Sequence, residues 1–225
     1  MLILVLPAAL LALLAQMLVH RSFHKYAQVR TRRAVTGAQA AQAILRAHDI
    51  IDVRVETVAG QLSDHYDPKN GVIRLSESVY GADSVAAVGI AAHEAGHAVQ
   101  YGDGYVPIRI RQAIIPVTRV GSTLAMPLIL LGFFLSYGRL IQLGILFFGL
   151  AVLFQLVTLP VEFNASRRAL AALEEYRLLD ETELPQARRV LSAAALTYVA
   201  ALAVSLAQFL RLLLLFGGQR GGRRR

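Results

Sequence analysis

Four apolar runs, at residues 2–19, 114–136, 140–159 and 191–216, constrain this 225-residue chain more than any other feature. About 20 apolar residues cross a bilayer core roughly 30 Å thick, so each run is long enough, or nearly so, to span one. Inside such a core every backbone amide must be satisfied within the protein, which leaves helices as the workable form for separate spans. Composition agrees, with 56 % hydrophobic and 17 % charged residues, against about 25 % charged in soluble domains. The sequence therefore predicts a mainly α integral membrane protein with about four transmembrane helices.

The first run holds only Gln16 as an interior polar residue, and the basic residues Arg21, Lys25, Arg30, Arg32 and Arg33 follow it. A secretory signal peptide carries its positive charge before the apolar stretch, so residues 1–19 read as a retained N-terminal anchor. Four spans put residues 20–113 and 160–190 on one face. The N-terminus, residues 137–139 and the tail lie on the other. Most of the basic residues near the spans are on the first face, although Arg220 and Arg223 to Arg225 oppose it; the balance puts the polar region in the cytoplasm. The basic residues are almost all Arg, and Ala and Leu are abundant, pointing to a GC-rich bacterial genome and hence a bacterial cytoplasmic membrane. The net charge of +8 gathers beside the apolar runs, where it meets lipid headgroups. No stacking aromatics interleave with it and Trp is absent, which argues against a nucleic-acid partner. The tail, residues 217–225, is expected to be disordered. With no Cys, disulfides, thiolate ligands and a cysteine nucleophile are excluded.

Residues 20–113 carry most of the polar chemistry. Thr36 can cap a helix to about His48, with Ala40, Ala43, Ile44 and Ala47 on one face. Residues 51–58 alternate apolar and polar as a half-exposed strand does. Strands near 62–66 and 72–75 flank Asp67-Pro68-Lys69-Asn70-Gly71, which has hairpin chemistry. A helix follows from Asp83 or Ser84 to about Tyr101, stopped by Gly102 and Gly104. Residues 114–159 form a transmembrane hairpin turning at 137–139. Residues 191–216 form the last span, interrupted by Gln208 and Arg211.

On the predicted 83–101 helix stands His93-Glu94-Ala95-Gly96-His97. Positions four apart share a helix face, so two imidazoles can reach one Zn²⁺ at about 2.0–2.1 Å. Glu94 lies beside the first of them, placed to take a proton from a water that the metal acidifies. The bland alternative is a chance match with two part-buried histidines. Gly96 carries a helix cost of about 0.5–1 kcal/mol that suits close backbone approach. Catalytic zinc takes three protein ligands and leaves one position open. No third His follows at close spacing, since positions 103 and 104 are Asp and Gly. Glu162, returning to the same face after two crossings, is the candidate; its alternative is a solvated cap or a partner of Arg167. His65 and Tyr66 precede the hairpin turn. They could sit on an edge strand that pairs with an extended substrate, one side chain stabilising the oxyanion; equally, residues 64–68 could be only a capped turn. His20, His24 and His48 have no partner at ligand spacing and read as surface residues.

Four segments together carry a family resemblance: Asp64-His65-Tyr66-Asp67-Pro68, His93-Glu94-Ala95-Gly96-His97, Pro160-Val161-Glu162-Phe163-Asn164-Ala165-Ser166 and Ala194-Ala195-Leu196-Thr197-Tyr198-Val199-Ala200. The chain resembles the YugP-type membrane neutral zinc metallopeptidases over nearly its whole length, a family similar in plan to the HtpX and CAAX-prenyl membrane proteases. The resemblance implies a small α+β zincin-like catalytic region, His93, His97 and Glu162 as ligands, and Glu94 as base. The latter two groups carry Asp four residues after the ligand Glu, where this chain has Ser166. Asn164, Ser166 or an unidentified acid then stands as the candidate for supporting the ligands.

The predicted function is a membrane-embedded zinc endopeptidase acting on peptides or membrane proteins at the cytoplasmic face. Its expected partners are the lipid bilayer and a peptide or membrane-protein substrate, and no membrane-protein adaptor is assigned. Two alternatives compete. A site-2-type intramembrane protease requires the His-bearing helix itself to span, yet residues 83–101 include Asp83, His93, Glu94, His97 and Gln100. A non-catalytic zinc-binding adaptor has no use for Glu94.

Overall fold

A computed structural model describes residues 2–217, side chains from Val5 onward, so the tail from Gly218 lies outside the described residues. Seven helices and three strands follow one another: α1 (Leu2–Ala27), α2 (Gly37–Ala47), β1 (Arg54–Val58), β2 (His65–Asp67), β3 (Val72–Ser76), α3 (Glu77–Tyr80), α4 (Val85–Gly102), α5 (Val106–Phe134), α6 (Gly138–Glu175) and α7 (Leu184–Phe216). Four of them, α1, α5, α6 and α7, are long and apolar enough to cross a membrane. The predicted class holds: a mainly α membrane protein with a small α+β region.

The described residues fall into two compact units. One contains the chain up to Ala15, Ile110–Leu159, and the chain from Thr197 onward. Here α5 and α6 are joined by three residues, 135–137, with Ser136 at φ 53°. Glycines let the two helices meet closely. A Cβ on Gly144 would stand 2.7 Å from the Ala125 carbonyl oxygen, and one on Gly132 2.8 Å from the Ile141 amide nitrogen. Small residues at the contact are the usual means of packing helices in lipid, where no hydrophobic drive between helices exists. Gln155 donates to Ser205 Oγ across α6 and α7 at 3.3 Å.

The second unit, Gln16–Arg109 and Pro160–Leu196, is built around α4. Val85, Val88, Ala91, Ala92, Ala95, Ala98 and Val99 are all buried, so this helix is apolar on several sides, as a core helix must be. Ser84 starts it, its hydroxyl accepting from the Ala87 amide at 3.3 Å. Against it packs α2, which opens with a capping box: Thr36 Oγ1 accepts from the Gln39 amide and Gln39 Oε1 from the Thr36 amide. Its buried face is Gly37, Ala38, Ala40, Ala41, Ile44 and Leu45. Ala47, expected on that face, is exposed; the bulkier Leu45 takes the core position, where it removes more apolar area from water.

The sheet has order β1-β3-β2. β2 and β3 form the expected antiparallel hairpin, with Tyr66 opposite Ile73. β1 pairs with β3 in parallel, placing β3 centrally, where Val72, Ile73 and Leu75 are buried. Gly71 at φ 58° supplies the left-handed residue of the turn. Asp67 holds the turn by accepting from Asn70 Nδ2 and from Arg74, contacts that lower its carboxyl to about 2. Asp64 ties the start of β2 to the end of β3 by accepting from the Ser76 amide at 2.7 Å.

α6 passes through Pro160 without a break. An interior proline costs about 3 kcal/mol through its missing N–H and its clash with the preceding turn. The turns after it offset this cost by burying Val161, Ala165 and Ala169. Glu162, two residues after Pro160, is buried in the second unit.

Candidate metal centre

Three donor side chains converge in the second unit. His93 and His97, four residues apart on α4, present their rings from one face with centroids 4.8 Å apart and an interplanar angle of 80°. Glu162, from α6, is buried to 2 % exposure between them. Its Oε2 lies 3.2 Å from His93 Nε2 and 3.6 Å from His97 Nε2. One donor atom from each of the three can be chosen so that all lie within 4.8 Å of one another. Two donors about 2.1 Å from a tetrahedral ion stand about 3.4 Å apart. The two carboxylate–imidazole separations bracket that value, and two imidazoles with one carboxylate are a donor set zinc accepts. The residues present fit the ion.

Close helix approach makes this possible. A Cβ on Gly96 would meet the Ala165 carbonyl oxygen at 2.7 Å. That separation is shorter than real Cβ contacts allow, so glycine is required where α4 meets α6. Gly96 lies between the two histidines in sequence, and Ala165 lies one turn after Glu162. The glycine that costs the helix stability also lets the carboxylate reach the imidazoles.

Glu94 is buried beside the cluster, 8 % exposed. Burial pushes its carboxyl up to about 7; the Glu162 and Asp64 carboxylates add to the rise, and the nearby His93 and the backbone amide of Tyr66 oppose it. A carboxyl poised near neutrality in a buried site can both accept and return a proton.

Each ligand-type histidine also has a partner on its other ring nitrogen. Ser166 Oγ lies 3.1 Å from His93 Nδ1. Gln100 Oε1 lies 2.9 Å from His97 Nδ1. Gln100 is fully buried and also donates from Nε2 to the Val161 carbonyl at 2.8 Å and to Asn164 Oδ1 at 2.9 Å. Ser166 thus touches a candidate ligand directly, and Asn164 stands one residue further out. Gln100 was not among the predicted site residues. Its position one helical turn after His97 is the sequence signal that could have found it.

His65 and Tyr66 occupy edge strand β2. His65 is exposed, with Nδ1 2.8 Å from the Ser63 carbonyl oxygen. Tyr66 is half-buried and meets Tyr101 edge-on, ring centroids 5.5 Å apart; burial raises its phenol to about 12. Its backbone amide, rather than its hydroxyl, is the group that acts on Glu94.

The family model described as "Putative neutral zinc metallopeptidase" matches residues 1–217. The Bacillus subtilis (strain 168) protein described as "Putative membrane protease YugP" is 46 % identical over 202 residues, 90 % of each chain. No solved structure matches the chain. With two imidazoles and a carboxylate whose donor atoms lie within 4.8 Å of one another, and a family match that runs from the first residue to the end of α7, the chain belongs to the neutral zinc metallopeptidase family.

Proposed function

We propose that this chain is a membrane-embedded endopeptidase in which His93, His97 and Glu162 hold zinc and Glu94 moves the proton. The convergence of those three donors beside a buried carboxyl is the observation that carries the reading. When bound, zinc supplies a Lewis acid that polarises the scissile carbonyl and acidifies water. Glu94 takes the proton of the attacking water and returns it to the leaving amine, a double task that its position near neutrality favours. The peptide lies extended along β2, adding a strand at the sheet edge next to Glu94, with His65 or Tyr66 placed to steady the developing oxyanion.

Helix length supports a site beside the membrane. Counted from Gly138 at 1.5 Å per residue, Glu162 stands about 36 Å along α6. That exceeds a hydrocarbon core of about 30 Å. α4 is not among the helices long and apolar enough to span, which disfavours the site-2 type of intramembrane protease. The excess of basic residues near the spans supports a site on the cytoplasmic face, with peptides or membrane proteins as the proposed substrates. A zinc-holding adaptor would not need Glu94.

The test is proteolysis by purified protein in detergent. Glu94→Gln is expected to keep its zinc and lose cleavage by about 10²–10⁴-fold, the usual worth of a positioned acid–base group. Undiminished cleavage by that variant would overturn the proposed role.

A further inference from the structure

We propose that Gln100 is the positioning residue of the metal centre: it fixes His97 in the tautomer whose Nε2 is free to bind zinc. The inference rests on the ligand reading above and goes beyond it, and it follows from donor and acceptor accounting along one chain of contacts.

The chain begins at the exposed end. Arg168 is a donor only, so Asn164 must turn its Oδ1, not its amide nitrogen, towards Arg168 Nε, 2.9 Å away. Asp103 holds Arg168 from the other side in an ion pair. Asn164 Oδ1 and the Val161 carbonyl oxygen both face the same nitrogen of Gln100, at 2.9 and 2.8 Å. Both are acceptors, so that nitrogen is the amide donor, and the orientation of the Gln100 side chain is fixed twice over. Its remaining atom, Oε1, can only accept. It faces His97 Nδ1 at 2.9 Å, so Nδ1 carries the hydrogen and Nε2 keeps the lone pair. Nε2 is the atom turned towards Glu162.

His93 is held differently. Its Nδ1 meets Ser166 Oγ, and a hydroxyl can donate or accept, so this contact permits either tautomer. The discriminating partner in the centre is therefore Gln100. In many metal sites a carboxylate orients the ligand imidazole. Here a buried neutral amide does so, and the charged groups sit further out, Arg168 two contacts away and Asp103 three, where water reaches them.

The experiment uses the full-length protein in detergent and reads metal affinity, not cleavage. Zn²⁺ affinity is measured by competition with a chromophoric chelator, and the visible spectrum of the Co²⁺-loaded protein reports ligand geometry. Gln100→Leu keeps the volume and removes the acceptor; it is expected to weaken zinc about 10–100-fold and to alter the Co²⁺ spectrum. Gln100→Glu keeps an acceptor for His97 while disturbing the contacts to Val161 and Asn164, and should stay within a few-fold of wild type. Equal losses in both variants would mean that Gln100 only ties α4 to α6, and would overturn the proposal, as would unchanged affinity in Gln100→Leu. If Gln100→Leu does not fold, Gln100→Met makes the same deletion with a more flexible side chain and is read in the same way. Wild type and Glu162→Ala serve as a separate pair. Equal zinc binding in those two sinks the ligand reading itself, whereas their difference with no Gln100 effect sinks this inference alone.

Discussion

Glu94, His97 and Glu162 are all nearly buried, and each is stabilised by a specific neighbour rather than by solvent. Glu162 without its imidazoles would be an uncompensated carboxylate in a low-dielectric site. Glu94 has no full counter-charge and rises towards neutrality instead. In the proposed reading, two carboxyls beside the same imidazoles thus have opposite tasks, one to hold the metal and one to exchange a proton. The expected outcome for Glu94→Gln follows from this division: the amide cannot take a proton, yet it sits outside the donor set, so zinc content by elemental analysis should match wild type while cleavage falls. His93, Glu94 and His97 were legible in the sequence because helix spacing alone brings i and i+4 together. Gln100 was marked only by its place one turn after His97, since its role also depends on what α6 presents to it.

At the scale of elements, the meeting of α4 with α6 governs the centre. Gly96 and Gly89 lie on the same helix in different surroundings. A Cβ at Gly96 meets the Ala165 carbonyl at 2.7 Å, while one at Gly89 meets Ala187 Cβ at an ordinary 3.5 Å. Gly96→Ala should therefore push α4 from α6, costing about 1–3 kcal/mol as overpacking does, with lower Tm and lower zinc content. Gly89→Ala should leave zinc intact and raise Tm slightly, because alanine is favoured over glycine in a helix by about 0.5–1 kcal/mol. Equal behaviour of the two variants would contradict the close approach. The hairpin of β2 and β3, the capped α2 and the α4 boundaries followed from turn and cap residues. The parallel pairing of β1 with β3 did not, because two separated strands carry no local signal for which neighbour they take. The passage of α6 through Pro160 was equally hidden, since tertiary burial outweighs the local cost there.

For the whole molecule, the apolar runs announced four spanning-length helices, and the structure extends them into longer rods. The helix α6, for one, runs on from the apolar stretch to Glu175, so a single helix carries both the run at 140–159 and Glu162. Orientation is testable because the chain contains no Cys. Single cysteines at Lys69, in the exposed hairpin turn, and at Tyr137, in the short connection between α5 and α6, should label from opposite sides of the membrane. Lys69→Cys is expected to react only with reagent that reaches the cytoplasm, and Tyr137→Cys from outside intact cells. The reverse pattern would turn the catalytic region outward.

The central claim is that Glu162, brought in by α6, completes a zinc centre begun by the two histidines of α4. Elemental analysis of purified wild type and Glu162→Ala tests it most directly. Wild type should hold about one zinc per chain and Glu162→Ala far less under the same dialysis, since two imidazoles alone leave the site a protein ligand short. Equal zinc in the two proteins would contradict the account.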